Sequence, residues 1–329
     1  VHMSGYVKDG IIERDSYGDW CVPPEDPKLI HSKDPARKTD PALLASMYLF
    51  HDAKLMARYA RLLNFDADAR AFDELAAKLR EGVNRKFYDA EKGIYANGSQ
   101  TSCVLPLAFG IEPEGAHERL FQNLVEKISV QSNNHVGTGL IGAQWLMRVL
   151  TENGRSDLAY TIASQETYPS WGYMVKNGAT TVWELWNGNT ADPAMNSGNH
   201  VMLVGDLLIW MFENLGAIKP DPHAPGFERI VMRPETPEGL TFARARHVTP
   251  YGPVSSEWHR SDRGFRWQVA VPPNTSAVLY IPAESEDAVR ENGDRLSGAY
   301  GVRVIGVKDG RLAVEVGSGR YDFWVNAGN

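Results

Sequence analysis

The chain has 329 residues, of which 43% are hydrophobic and 23% are charged, and its formal net charge is -7. This length and composition predict a folded globular protein with room for two domains of roughly 100–200 residues each. The acidic balance and the absence of any Lys/Arg-rich run argue against a nucleic-acid partner, and no apolar run approaches the roughly 20 residues of a membrane span. Cys21 and Cys103 are expected to be buried free thiols, and neither they nor the histidines have a metal-binding spacing, so the sequence predicts no metal and no cofactor.

The first regular elements are predicted to be two helices. After an irregular polar stretch over residues 29–39, apolar residues recur at helical spacing from Leu44 to Leu63, and Pro41 stands where a helix can begin. A second amphipathic run covers residues 66–86. Together these runs predict an antiparallel helix pair with a short connection.

A polar loop followed by a helix then recurs along the chain. Further helices are predicted over 116–130, 140–150 and 157–164, and the almost continuously apolar run 201–215 predicts a helix buried on most sides. The loops bring these residues to helix starts: Asp19 with Trp20, Gln100, His135, Trp171, Glu184 and His200. Helix hairpins wound in a ring place equivalent loops at one end, so the sequence predicts an α/α toroid with a funnel there.

The sequence changes character near residue 219. Prolines are followed by short alternating runs at 230–232, 243–248, 254–258, 265–271, 276–281, 302–305, 311–316 and 321–325. These runs predict an antiparallel β-sandwich over residues 219–329, after a helical domain over residues 1–218. Arg244, Arg246 and His247 on one of these strands are expected to face solvent.

The segment from Gly178 to His200 carries the strongest functional signal. Glu184 lies between Trp183 and Trp186, and most of the flanking residues are small or polar, as in an open cleft. Tryptophan rings suit the C–H faces of sugars, and a carboxylate beside them can act as an acid or a base. This pattern predicts carbohydrate chemistry.

Six motifs along the chain resemble one known family, the bacterial α-L-rhamnosidases of glycoside hydrolase family 78. The resemblance covers about residues 5–217, and the β-rich remainder suits that family's C-terminal module. The motifs, in order, are Tyr-Gly-Asp-Trp at 17–20, Gln-Thr at 100–101, His-Val-Gly-Thr-Gly at 135–139, Tyr-Pro-Ser-Trp-Gly-Tyr at 168–173, Ala-Thr-Thr-Val-Trp-Glu-Leu-Trp at 179–186 and Asn-His at 199–200.

The resemblance implies an (α/α)6 barrel, inversion of anomeric configuration and release of terminal L-rhamnose from glycosides or polysaccharides. It implies that Glu184 is the general base that activates water and that His200 contacts the sugar or the base. The residues expected to contact the substrate are Asp19, Trp20, His135, Trp171, Trp183, Trp186 and His200. At least one of the tryptophans is expected to serve packing instead.

The sequence also departs from the family. The family's general acid lies in an Asp-Glu-Arg motif upstream of Tyr-Gly-Asp-Trp, and that motif is missing here. About seven helices are predicted, whereas a closed ring of hairpins needs about twelve. The chain is therefore interpreted as the C-terminal portion of a longer enzyme, with little activity alone. Either the enzyme was cut in this way, or another segment or chain supplies the missing helices. Asp192 is the best internal second carboxyl, although a turn or cap role suits it better.

Two other classes of function stay open on the sequence. One is a non-catalytic carbohydrate-binding protein on a degraded toroid, and the other is a different toroid glycosidase or a polysaccharide lyase. The lyase is disfavoured because the helical loops contain no arginine cluster for a uronate. The sequence does not fix the aglycone or whether the chain pairs with a copy of itself.

Overall fold

The structure is a computed structural model that describes residues 6–13, 15 and 17–327. Residues 1–5, 14, 16, 328 and 329, which belong to the two predicted domains, lie outside the described residues. The chain divides into two compact units, Val1–Leu207 and Leu208–Asn329. The boundary predicted at residue 218 stays a prediction.

The first unit is helical. It opens on a small hairpin of β1 (Val7–Lys8) and β2 (Ile11–Ile12), and a second hairpin of β3 (Tyr88–Asp89) and β4 (Ile94–Tyr95) separates the second helix from the third. The helices are α1 (Pro41–Leu62), α2 (Asp66–Phe87), α3 (Gln100–Phe109), α4 (His117–Glu126), α5 (Leu140–Ala143), α6 (Leu146–Glu152), α7 (Ser156–Ala163) and α8 (Trp171–Lys176). A π-helical turn, Lys127–Gln131, extends α4, and 3-10 turns cover Pro193–Met195 and Val201–Val204.

The predicted pair of long helices is confirmed. The Asp40 side chain caps α1 by accepting hydrogen bonds from the N–H groups of Ala42 and Leu43, and Pro41 fills the first helical position, where no N–H is needed. Asn64, in a left-handed conformation with φ of 60°, turns the chain into α2.

Two predicted helices are interrupted in the structure. The run 140–150 breaks at Trp145, and the carboxylate of Asp206 accepts the N–H groups of Met147 (3.3 Å) and Arg148 (3.0 Å) at the start of α6. The continuous buried helix predicted over 201–215 is wrong. Gly205, with a φ of 57°, ends the 3-10 turn. The position requires glycine, because an added Cβ there would lie 2.1 Å from the carbonyl oxygen of Ala143.

The same 201–215 run is not buried on most sides. After Gly205 it resumes as α9 (Leu207–Trp210) and a π-helical turn, Met211–Leu215. Several of its apolar side chains are exposed, and these are Val201, Met202, Leu208, Ile209, Met211 and Phe212. An apolar run therefore did not by itself reveal which of its sides would be covered.

The second unit is the predicted β-sandwich. One sheet has the order β13-β14-β10-β6-β5 and the other has the order β12-β11-β15-β9-β8-β7. The strands are β5 (Lys219–Pro220), β6 (Arg229–Met232), β7 (Phe242–Thr249), β8 (Gly252–Ser261), β9 (Gly264–Val271), β10 (Ser276–Ile281), β11 (Val289–Glu291), β12 (Asp294–Arg295), β13 (Val302–Lys308), β14 (Arg311–Val316) and β15 (Gly319–Asn326). The sheets are antiparallel except for the parallel pair β6 and β10.

The sandwich has its own core. Alternate strand residues turn inward, and the largest of these side chains, Trp258, Trp267 and Phe323, are completely buried.

Along the described part of the chain, no helix combines the length and the apolar character needed to cross a membrane.

Candidate active site

Glu184 lies in a loop that is held by pairing with a later extended segment. The Glu184 N–H donates to the carbonyl of Ser197 (3.0 Å), the His200 N–H donates to the carbonyl of Val182 (2.7 Å), and the Thr181 hydroxyl donates to the carbonyl of Gly198 (2.6 Å). Glu184 and His200 are distant in sequence but lie on adjoining segments because of these bonds.

The Glu184 carboxylate is oriented by one backbone group. Its Oε2 atom accepts the N–H of Ser197 at 2.9 Å, and the side chain is half-buried. Among the described residues, no donor reaches its other oxygen, Oε1. The arrangement leaves a fixed carboxylate with one oxygen available to a proton.

The tryptophans around Glu184 differ in burial. Trp183 is buried against Gly188, where an added Cβ would lie 2.9 Å from the indole ring. Trp186 is completely buried, and its indole N–H donates to the carbonyl of Thr138 (3.1 Å). Trp171 packs edge-on against Trp186 with 5.5 Å between ring centroids, and its indole N–H donates to the carbonyl of Leu203 (2.8 Å).

The burial of these side chains agrees with the expectation that at least one tryptophan serves packing. Trp186 offers no exposed ring face, so its burial favours packing over the predicted sugar contact. Trp20 is half-buried and leaves more of its ring accessible. It packs edge-on against His31, with 4.7 Å between ring centroids.

Asp19 is buried, and protein donors occupy both of its carboxylate oxygens. It accepts hydrogen bonds from the Thr101 hydroxyl and from the N–H groups of Gly139 (2.9 Å), Ile141 (2.8 Å) and Gly142 (3.4 Å). Burial raises the pKa of the Asp19 carboxyl, and these hydrogen bonds oppose the shift. This bonding favours an anchoring role over the predicted substrate contact.

Cys21 is affected by the charges of both Asp19 and Glu184. Burial raises the pKa of its thiol to about 12, and the negative charges of Glu184 and Asp19 add to the shift. Both cysteines are buried and free, as predicted. Asp19, Trp20 and Cys21 line a cavity of about 340 Å³.

His135 lines a different cavity of about 550 Å³, together with Gln100 and Tyr168. Its ring is buried and both nitrogens have partners: Nδ1 lies 2.6 Å from the carbonyl oxygen of Asn133, and Nε2 lies 2.7 Å from the Thr167 hydroxyl. The Nδ1–carbonyl contact requires a proton on Nδ1, so the neutral ring accepts from Thr167. His135 and Trp20 therefore line two different cavities, of about 550 Å³ and about 340 Å³.

The structure adds residues that the sequence reasoning missed. The buried Asn187 amide donates to the carbonyls of Pro27 (2.8 Å) and Leu29 (2.9 Å), and the Tyr168 hydroxyl donates to the carbonyl of Pro24 (3.0 Å). The Asn187 bonds fasten the loop after Trp20 to the Glu184 segment, and the Tyr168 bond fastens the same loop to the 168–173 motif. An asparagine beside the Glu184 motif was the only available signal, and it does not reveal a partner so far away in sequence.

Asp192 caps its short helix through Ala194 N–H (2.9 Å), which confirms its cap role.

The helical unit, its tryptophan-flanked carboxylate and the β-sandwich together define a helical six-hairpin glycosidase fold with a C-terminal β domain. Residues 2–215 match the family model for the bacterial alpha-L-rhamnosidase 6 hairpin glycosidase domain, and residues 218–295 match that for the bacterial alpha-L-rhamnosidase C-terminal domain. The chain therefore belongs to the bacterial α-L-rhamnosidase family, which confirms the resemblance.

Individual relatives agree with this assignment. An alpha-L-rhamnosidase of Streptomyces avermitilis is 34% identical over 324 residues, covering 96% of this chain and 29% of the relative. One from Formosa agariphila is 31% identical, covering 98% of this chain and 34% of the relative.

Two solved structures are similar along nearly the whole chain. The S. avermitilis alpha-L-rhamnosidase complexed with L-rhamnose superposes with a TM-score of 0.86 at 30% identity, covering 99% of this chain and 29% of that one. The Dictyoglumus thermophilum alpha-L-rhamnosidase has a TM-score of 0.86 at 30% identity, covering 98% of this chain and 35% of that one. The chain thus spans about a third of the length of these relatives.

Proposed function

We propose that this chain is the C-terminal part of an inverting α-L-rhamnosidase that releases terminal α-L-rhamnose from glycosides or polysaccharides, with Glu184 as the general base. The observation that carries the proposal is the Glu184 carboxylate itself. Its Oε2 is tied to the Ser197 N–H, and its Oε1 accepts no hydrogen bond from the described residues.

The proposed mechanism follows from that geometry. Inversion needs water to attack the anomeric carbon from the face opposite the leaving oxygen, while a base removes a proton from that water. Oε1 of Glu184 takes the proton, and the bond to Ser197 keeps the carboxylate from rotating away. A second carboxyl, at roughly 6.5–9.5 Å in inverting enzymes, protonates the leaving oxygen. We assign this acid to a part of the protein outside residues 1–329.

We divide the predicted substrate residues by their contacts. Trp20, Trp183 and His200 are proposed to contact the rhamnose, because they adjoin Glu184 in sequence or structure or expose part of a ring. Asp19, Trp186 and Trp171 are proposed to hold these residues in place, since their polar atoms bond within the protein. His135 is proposed to act farther along the substrate, in the cavity that it lines with Gln100.

The test is Glu184→Gln in the full-length protein, which keeps the size of the side chain and removes the base. Hydrolysis of an aryl α-L-rhamnoside is expected to fall by about 10²–10⁴-fold in kcat, with KM changed little. Glu166→Gln is the matched control, because Glu166 is exposed and pairs with Lys176. Its activity is expected to stay within about twofold, as for an exposed ion pair.

Two results would contradict the proposal. One is unchanged hydrolysis in Glu184→Gln, and the other is sugar binding without any hydrolysis by the full-length wild-type protein, which would mark a non-catalytic binding protein. The anomer first formed, followed by nuclear magnetic resonance, tests inversion separately, since α-rhamnosides are expected to give β-L-rhamnose.

A further inference from the structure

The six-stranded sheet of the second unit has a polar, solvent-facing side that lines a concave cavity of about 690 Å³. We call this side the arginine face. The strand registers arrange its side chains in three rows across β7, β8, β9 and β15. The first row is Phe242, His259, Arg266 and Trp324, the second is Arg244, Glu257, Gln268 and Asp322, and the third is Arg246, Ser255, Ala270 and Arg320.

Some of the arginines on the arginine face have no acidic partner among the described residues. Glu257 bonds to His259 (2.9 Å) and Asp322 bonds to Arg266 (2.9 Å), so both carboxylates already have donors. The exposed Arg244, Arg246 and Arg320 form no ion pair with any residue in the described part of the chain. Three unpaired guanidinium groups on one face stand out in a chain whose net charge is -7.

The third row has the shape of a shallow trough. Arg246 lies on the edge strand β7 and Arg320 lies on β15, and the small residues Ser255 on β8 and Ala270 on β9 form the floor between them. Three strand spacings separate the two arginines, about 14 Å between their Cα atoms. Both side chains can lean inward over this floor, so two guanidinium groups can bind one carboxylate or neighbouring carboxylates with paired hydrogen bonds.

We propose that the arginine face binds an acidic polysaccharide through the carboxylates of its uronic acid residues. The guanidinium groups match those carboxylates, while Glu257, Asp322 and Gln268 offer acceptors and donors to sugar hydroxyls. The partly exposed rings of Trp324 and Phe242 close the two ends of the first row and offer apolar faces to sugar rings. Nucleic acid fits less well, because the two carboxylates in the middle row would repel its closely spaced phosphates.

This inference adds a binding site to a unit that the proposed hydrolysis does not use. Because binding can be measured without any turnover, the proposed site can be tested independently of the role of Glu184.

The experiment titrates residues 1–329 with an oligogalacturonate in a calorimeter at low salt. Arg246→Gln combined with Arg320→Gln is expected to weaken binding by about 10-fold or more, since each loses charge-assisted hydrogen bonds. The matched control is Arg263→Gln combined with Lys308→Gln, which removes two exposed positive charges elsewhere in the same unit. Its affinity is expected to stay within about twofold. Circular dichroism checks that all variants are folded.

A neutral malto-oligosaccharide of the same length is expected to bind about 10-fold more weakly than the oligogalacturonate, and raised salt is expected to weaken only the acidic ligand. The proposal is overturned if the wild-type chain does not bind the oligogalacturonate. It is also overturned if both double variants lose affinity equally, or if a single-stranded DNA oligonucleotide binds as tightly.

Discussion

Four donors converge on the carboxylate of Asp19, one from the Thr101 hydroxyl and three from backbone N–H groups at the start of α5. Nothing in the motif Tyr-Gly-Asp-Trp distinguishes such an anchor from a sugar ligand. Both roles need a carboxylate next to an aromatic residue in a loop. Only the hydrogen bonds from partners that are distant in sequence favour the anchoring role of Asp19 over a sugar contact.

Asp19→Asn is expected to lower the free energy of unfolding of the helical unit by about 2–3 kcal/mol. The side-chain NH2 group of asparagine replaces one carboxylate oxygen, so a donor faces backbone N–H groups that need an acceptor. Urea unfolding of residues 1–329, followed by the helix signal in circular dichroism, measures this change. Asp192→Asn is the control, since asparagine caps a helix about as well as aspartate. Equal, small effects of the two substitutions would argue against the anchor.

His117 gives a prediction for the pH dependence of stability. Its Nδ1 lies 2.7 Å from Glu112 and its Nε2 lies 2.6 Å from Asn153, and the bonds to Glu112 and then Asn153 raise the pKa of His117. Folding therefore favours the protonated ring. The resulting stabilisation is fully present below the unfolded-state pKa of about 6.5 and is lost as pH rises through the higher folded-state pKa.

His117→Gln is thus expected to lower the free energy of unfolding more at about pH 5.5 than at about pH 8.5. The half-exposed ring limits the difference to less than about 1 kcal/mol. Urea unfolding at the two pH values measures it. In a Glu112→Gln background the pH dependence of this effect should shrink, and an effect of His117→Gln that is the same at both pH values would contradict the assignment.

At the scale of elements, the loop that carries Asp19 and Trp20 meets the start of α5 at a glycine. The Leu140 N–H donates to the carbonyl of Trp20 (2.8 Å), and a Cβ at Gly139 would lie 2.1 Å from that same oxygen. The close approach requires glycine because the two backbones touch, although the φ of Gly139 is an ordinary -87°.

Gly139→Ala is expected to push the 17–21 loop away from α5 and to cost about 1–3 kcal/mol of stability, as overpacking does. In the full-length protein, hydrolysis should fall as well, because Trp20 moves with the loop. Gly198→Ala is the matched control, since an added Cβ there meets no atom within 4 Å. Thermal unfolding and initial rates test the pair, and a Gly139→Ala protein that behaves like the control would refute the close contact.

At the scale of the molecule, the chain accounts for about a third of the length of its relatives. Its helical unit exposes large apolar side chains, among them Leu62, Leu63 and Phe65 at the turn between α1 and α2. Exposed apolar surface of this kind often marks an interface. It is consistent with the proposal that further helices of the same protein complete the ring.

Residues 1–329 alone are therefore expected to hydrolyse an aryl α-L-rhamnoside at least about 10²-fold more slowly than the full-length protein, because we assign the general acid to a part of the protein outside these residues. The measurement compares initial rates at equal molar concentration, with the full-length Glu184→Gln variant as the reference for background. Turnover by the chain alone close to that of the full-length protein would contradict both the missing acid and the assignment of Glu184 as half of a pair.

The sequence by itself determined the helix pair 41–87, the strands of the sandwich and the family, because periodicity, caps and ordered motifs are local properties. It also predicted that Arg244, Arg246 and His247 face solvent, which their exposure confirms. Strand alternation puts Arg244 and Arg246 on one face, whereas the adjacent His247 points to the other face.

Only the tertiary structure supplies the contacts from which we propose that some of the motif residues are anchors. The burial of Trp186, the four donors to Asp19 and the pairing of residues 182–184 with 197–200 all depend on atoms that are distant in sequence. The prediction of a buried helix over 201–215 was wrong because it also depended on a contact distant in sequence. The backbone at Gly205 lies so close to the carbonyl of Ala143 that no side chain fits there. Local patterns fix which elements form, whereas long-range packing fixes which side chains stay free to act.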